Sequence, residues 1–274
     1  MIVCGGEAQK GFILYSDDLG QTWTSAIGTF NDQVNALHFI NSDTGFCADG
    51  DIIISRTMNG GTSWDPFYDN SWPLTVNRNL RSIWFTTTEK GFVCGGKNLG
   101  NGVLYTTVNT GNDWTWTEFE HEYRSVTFSD SLNGIICGHG SVLYTNDGGN
   151  NFYPASLKDH YFTGSASDQF GNFFICDLNG KIYQSSNPKN NWLLIRDGSN
   201  WTIKSGQLNS IALSPGGKIA AAGPSGFITW SNDNGSSWND RQSFNGSDIF
   251  KVKWLDEKTL ACAGQNGIYL VRIN

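Results

Sequence analysis

Apolar residues along this chain alternate with polar ones over short runs, and each run stops at a cluster of Gly, Asn, Asp or Ser. Alternation with period two predicts strands, and close turns predict antiparallel pairing. The best-formed stretches are ALHFINSDTGFCADG (36–50), SIWFTTTEKGFVCGG (82–96) and SVTFSDSLNGIICGHG (125–140). SIALSPGGKIAAAG (210–223) and KVKWLDEKTLACAG (251–264) are weaker copies. Each holds an alternating run, a polar turn and a second short run closing on Cys or Ala and then Gly. A third run, such as FILYS (12–16) or VLYT (142–145), follows and leads into a polar octet.

The octet recurs six times: SDDLGQTW (16–23), TMNGGTSW (57–64), TVNTGNDW (107–114), TNDGGNNF (145–152), SSNPKNNW (185–192) and SNDNGSSW (231–238). The pattern is Ser/Thr, any residue, Asp/Asn, any residue, Gly, any residue, a small polar residue and Trp/Phe, with Lys189 alone breaking the Gly position. Residues from the aromatic onward make a fourth strand, so the unit is a four-stranded meander of roughly 40 residues, the size of a propeller blade. Cys4, Cys47, Cys94, Cys137, Cys176 and Cys262 occupy one position of the unit, with Ala221 in the remaining copy, and successive marks lie 39 to 47 residues apart. Seven marks predict seven blades. The expected fold is therefore an all-β, seven-bladed β-propeller of four-stranded antiparallel blades, a single domain over 1–274. The first unit starts at its second strand and the last stops at YLVRIN, so both end blades are expected to be incomplete. Either ring closure is irregular or upstream residues, with or without an export signal, are absent from this chain; the second is the favoured expectation.

One thiol per blade at a small strand position reads as core filling, with neighbours too far apart for a disulfide. His38, His121, His139 and His160 show no ligand spacing, so neither a metal nor another cofactor is expected. The formal charge of −7 and the lack of a basic stripe argue against nucleic acid. No run of about 18 apolar residues exists to span a membrane, and the opening MIVCGGEAQKG has no basic, long-apolar signal-peptide pattern. Asn200, Asn234 and Asn245 stand in Asn-X-Ser/Thr sequons, which arise by chance in an Asn-rich chain.

Within the octet, Asp18, Asn59, Asn109, Asp147, Asn187 and Asp233 are expected to staple the turn by accepting backbone N–H groups. The Gly suits a positive φ, and the aromatic ring packs the blade. Half of the staples are Asn, so charge is dispensable, which weakens any catalytic or Ca²⁺ role. Asp18→Asn should be nearly silent, and Trp23→Ala should cost on the order of 3–5 kcal/mol if the ring is fully buried.

These octets resemble the Asp-box, or bacterial neuraminidase repeat. The larger unit, as in RSVTFSDSLNGIICGHGSVLYTNDGGNNF (124–152), resembles the photosystem II stability and assembly factor family and its non-photosynthetic bacterial relatives. The likeness covers essentially the whole chain, is strongest in the second to fourth units and is weak in the fifth. It implies a seven-bladed propeller used as a non-enzymatic assembly or docking scaffold, commonly outside the cytoplasm; a monomer with a protein or glycan partner is expected.

In such a propeller the residues preceding each first strand, Asn35, Arg81, Arg124, Phe162, Asn209 and Phe250, are expected at the channel mouth. Arg81 and Arg124 fall in neighbouring blades and are suited to a carboxylate or phosphate. The alternative is that each pairs locally with an acidic residue such as Glu122. The long loop 65–79 adds Phe67, Tyr68, Trp72 and Arg78, and loop 195–206 adds Trp201; these rings suit protein contacts or sugar stacking, or else fold back over the blade edge. Two other functions compete with the scaffold. A sialidase-type glycoside hydrolase would need a third arginine and a Phe-Arg-Ile-Pro motif, both missing; an endoglucanase-type one would need a carboxylate pair, for which Asp69, Glu118, Asp177 and Asp248 are eligible. A carbohydrate-binding module would rest on Trp72 and Trp201.

Overall fold

The computed structural model describes residues 1–51, 53–67, 79–198, 206–242 and 244–273. They form two compact units, 1–126 and 127–274. In the first unit β1 (Ile2–Glu7), β2 (Lys10–Tyr15) and β3 (Thr24–Ser25) make one sheet, and β4 (Val34–Phe39), β5 (Gly45–Asp49), β6 (Ile54–Thr57) and β7 (Asp65–Phe67) a second. β8 (Asn79–Phe85), β9 (Gly91–Lys97), β10 (Gly100–Thr107) and β11 (Thr115–His121) make a third. β12 (Tyr123–Phe128) then leads into the second unit.

There, β12 is followed in one six-stranded sheet by β13 (Gly134–Thr145), β14 (Tyr153–Ser167), β15 (Phe173–Asp177), β16 (Ile182–Asn187) and β17 (Asn191–Arg196). β18 (Ser210–Leu213), β19 (Ile219–Ala222), β20 (Phe227–Ser231) and β21 (Asn239–Gln242) form the next sheet, and β22 (Ile249–Trp254), β23 (Thr259–Gly264) and β24 (Gly267–Arg272) the last.

The expectation of seven four-stranded blades is thus corrected: the described residues form six sheets, two of them three-stranded. The fourth and fifth repeats share one sheet because two strands run on where the pattern implies breaks. β13 covers 12 residues and β14 covers 15. The chain absorbs the mismatch locally, through left-handed Gly140 and Asp159 and two register shifts between these strands. Cys137 and Cys176, read as marks of separate blades, therefore belong to the same sheet.

Cores form between neighbouring sheets because each strand presents alternate residues to opposite faces. β19 shows this most simply. Ile219 and Ala221 pack with Phe174, Cys176 and Phe227, whereas Ala220 and Ala222 pack with Ile249, Leu260 and Cys262. In the first unit Phe46, Phe85 and Trp114 form the centre of a cluster with Leu80, Val93 and Tyr105. Phe46 and Phe85 stack at 4.4 Å, and Trp114 meets them edge-on at 6.3 and 6.1 Å.

Candidate functional site

Five octets close in the same way. The Asx side-chain Oδ1 accepts the backbone N–H of the residue four places on: Thr22 at 2.9 Å, Ser63 at 3.0 Å, Asp113 at 2.9 Å, Asn151 at 3.0 Å and Ser237 at 2.8 Å. The leading hydroxyl accepts the Gly N–H, as Thr57 does from Gly61 at 3.0 Å, and each of these Gly residues has positive φ. In the fifth copy, with Lys189 at the Gly position, Asn187 instead accepts from Lys189 N at 3.3 Å. The other Asx oxygen or nitrogen is matched to the residue four places on. Asp18 accepts from the Thr22 hydroxyl, Asp147 from Asn151 Nδ2 and Asp233 from the Ser237 hydroxyl, while Asn59 and Asn109 donate to Ser63 Oγ and the Asp113 carboxylate.

This matching makes the staples sensitive to pH in a predictable direction. Hydrogen bonds from Asn151 hold Asp147 at about 2, and those from Ser237 hold Asp233 at about 2, against an ordinary 3.8; those from Thr22 likewise lower Asp18. A depressed folded value means that the stability is complete above the ordinary value and is lost as pH falls from about 4 towards 2. Asn109→Asp is expected to do the opposite of the native match. It places a second carboxylate where Nδ2 now meets Asp113 at 2.8 Å, so the urea midpoint should fall at neutral pH and recover on mild acidification. An unchanged midpoint at neutral pH would contradict the matching.

The charged cluster with the most defined geometry lies in the first unit. Glu122, between β11 and β12, has a side chain only 3% exposed. Its Oε1 accepts from Arg81 Nε at 3.1 Å and lies 3.6 Å from Arg124 Nη1, and its Oε2 accepts from Leu99 N at 3.2 Å. Gly96 makes room for it, since a Cβ there would lie 2.7 Å from Glu122 Cα. With its carboxamide oriented to match both neighbours, Asn79 accepts from Arg81 Nη2 at 3.0 Å and donates to the Gly50 carbonyl at 2.6 Å. The two guanidinium-bearing side chains are 24% and 29% exposed. One carboxylate thus stands between two cations in a chain of −7.

Arg81 and Arg124 are thus brought together through the local pairing with Glu122. Asn35 and Asn209 act as ties between sheets, each donating to the first strand of the next sheet: Leu80 O and Ile249 O, both at 2.8 Å. Phe162 is fully buried, Phe250 is exposed, and Phe67 packs against the Phe46 cluster. Tyr68, Trp72, Arg78 and Trp201 lie outside the described residues, as does Asp69.

Carboxylates also cap the hairpins between second and third strands. Asp49 accepts from Asp51 N and Ile53 N, both at 2.9 Å, and burial pushes it up to about 6. Raised folded affinity for a proton stabilises below the ordinary value, and that stability is lost as pH rises from about 4 through 6. In the second unit Asp177 accepts from Asn179 N and Lys181 N at 2.8 and 2.9 Å. Its other oxygen lies 3.2 Å from His160 Nδ1. Arg196 is buried and donates to Gly180 O at 2.6 Å and Asp240 Oδ1 at 3.1 Å, with Phe227 and Trp238 rings beneath it. Sequence reading missed both arrangements; a lone basic residue ending a strand carried no signal. The cysteines are free thiols, and burial pushes Cys176 and Cys262 up to about 12. Among the described residues no cluster of three or more His, Cys, Asp or Glu is arranged to hold a metal, and no helix is long and apolar enough to cross a membrane.

No protein-family model matches the chain, and no curated protein sequence does. Solved structures do. A YCF48 structure from Cyanidioschyzon merolae superposes with a TM-score of 0.71 at 15% identity, covering 99% of this chain and 94% of that one. YCF48 bound to D1 peptide gives 0.68 at 14% identity, covering 87% and 77%. An ancestral GH74 enzyme gives 0.73 at 15% identity over 99% of this chain but only 45% of its own. At such identities the likeness establishes the fold alone, a β-propeller, which YCF48 and a GH74 enzyme have in common.

Proposed function

We propose that this chain is a non-enzymatic docking scaffold, acting as a monomeric propeller domain outside the cytoplasm, whose Arg81–Glu122–Arg124 cluster receives a carboxylate-bearing protein partner. The observation that carries this reading is the cluster's construction. A buried carboxylate fixes two guanidinium groups in place while about a quarter of each arginine side chain stays exposed, so the rotamer entropy of both is spent before any partner arrives. Guanidinium groups suit a carboxylate through fork-shaped hydrogen bonds. The YCF48 structure that holds a D1 peptide supports a peptide partner for this fold.

Hydrolysis is the competing reading, supported by the GH74 likeness in fold. Against it, Asp177 is fully buried and commits one oxygen to two backbone N–H groups, and Asp248 accepts from Ser225 N. A panel of chromogenic glycosides and a glycan array are expected to give neither turnover nor retention. Turnover abolished by a single carboxylate-to-amide change would overturn the scaffold reading.

A further inference from the structure

The chain contains seven Asn-Gly pairs, at Asn59, Asn101, Asn133, Asn179, Asn234, Asn245 and Asn266. This dipeptide is chemically labile, because Gly offers no side chain to shield its amide nitrogen from the preceding carboxamide. Six of the pairs are tied down. Asn59 is bonded through Thr57 and Ser63, and Gly60 N donates to Asp43 O. Asn133 Nδ2 donates to the Asp130 carboxylate and Asn266 Nδ2 to Ser247 Oγ. Gly180 N donates to Asp177 O and Gly235 N to Ser231 Oγ. Gly102 is buried in β10 opposite Phe119, where a Cβ would strike His121 O.

Asn245 is exposed like the other six, but none of these ties is described for it: its carboxamide is bonded to no described residue, and the space beside Gly246 is open, as it is beside Gly267, with nothing within 4 Å of a Cβ placed there. Its backbone is also strained. Phe244, Asn245 and Gly246 have φ of 61°, 52° and 78°, three left-handed residues in succession of which only the last is glycine. A bulky residue such as Phe244 is disfavoured there, so the turn sits above its relaxed energy and leaving that conformation costs less than usual.

We propose that Asn245–Gly246 is a site of spontaneous covalent modification by deamidation. The Gly246 amide nitrogen attacks Asn245 Cγ, the Cγ–Nδ2 bond breaks, and the displaced NH2 group takes up the amide proton and leaves as ammonia. Water then adds to one of the two ring carbonyls of the succinimide. Opening on one side gives aspartate; opening on the other gives isoaspartate, whose main chain runs through the extra methylene. Either product puts a new negative charge two residues from Ser247 and three from Asp248. The isoaspartate also lengthens a turn that Ser247 N closes on Phe244 O at 3.0 Å, and so disturbs the stacking of Phe244 on Tyr269, now at 4.3 Å.

The test is to age the purified full chain in mildly alkaline buffer and follow tryptic peptides by mass spectrometry, with isoaspartyl methyltransferase labelling. The peptide spanning 242–251 should gain the mass of an amide-to-acid exchange and accept methyl groups several-fold faster than peptides holding the other six pairs. Asn245→Gln, whose six-membered ring forms far more slowly, should stay unlabelled there while keeping the wild-type circular dichroism spectrum. Equal or faster change at any of the other six pairs, or no change at 242–251, would overturn the proposal. Should Asn245→Gln alter the fold, Gly246→Ala gives a second arm, in which the added Cβ shields the nitrogen and the rate at 242–251 should drop several-fold.

Discussion

Trp114→Ala is expected to destabilise the protein by about 3–5 kcal/mol, the cost of removing a large buried side chain from a core that cannot close over the space. Trp114 is 4% exposed and sits edge-on to both members of the Phe46–Phe85 stack, in the cluster that joins the second sheet to the third. Trp114→Phe should lose less than half of that. Among the described residues the indole N–H has no hydrogen-bond partner, so replacing it by a hydrocarbon ring removes volume while also relieving an unsatisfied donor. Urea unfolding monitored by far-ultraviolet circular dichroism decides the point. Equal losses for the two variants would mean that the indole nitrogen is bonded after all.

Glu122→Ala is the second large effect, on the order of 3 kcal/mol, discounted from the upper range for breaking buried ion pairs because both arginine partners are partly solvated. The loss has two parts. Arg81 and Arg124 would face each other without the anion between them, and Leu99 N would lose its acceptor. Glu122→Gln keeps an oxygen for Leu99 N and should retain more stability than Glu122→Ala, which separates the two parts. Added salt should narrow the gap between wild type and Glu122→Gln by screening the arginine repulsion.

What could be read from the sequence follows how local each interaction is. The octet was legible because its bonds close within four residues: Asp18 to Thr22 and Asn59 to Ser63 need no distant partner. The ring that follows was legible only in part. Trp64 and Trp114 are buried, whereas Trp23 is half-buried, so Trp23→Ala should cost less than Trp114→Ala. A residue's own motif does not say what covers it. The blade count failed for a related reason. Whether Lys158–Asp159–His160 breaks a strand or bulges within one is decided by pairing with β13, not by local composition.

The site shows the same division. Arg81 and Arg124 were legible as neighbours in successive repeats, and Glu122 as an available local acid. Their convergence on a single carboxylate, 41 residues from Arg81 and two from Arg124, depends on sheet packing around Gly96. That geometry also changes how the site should be probed. Reversing both arginines to glutamate would put three carboxylates together, one of them buried, and would test folding before it tested docking.

Single replacements avoid this, because each leaves Glu122 one cation. The most direct measurement is therefore affinity capture from a cell-envelope extract of the native source with wild type, Arg81→Gln and Arg124→Gln. All three should be matched for folding by circular dichroism and eluted with rising salt. The docking account predicts a protein that wild type retains at low salt and releases as salt rises, and that both variants lose or release several-fold earlier. The same partner released at the same salt from all three proteins would contradict it.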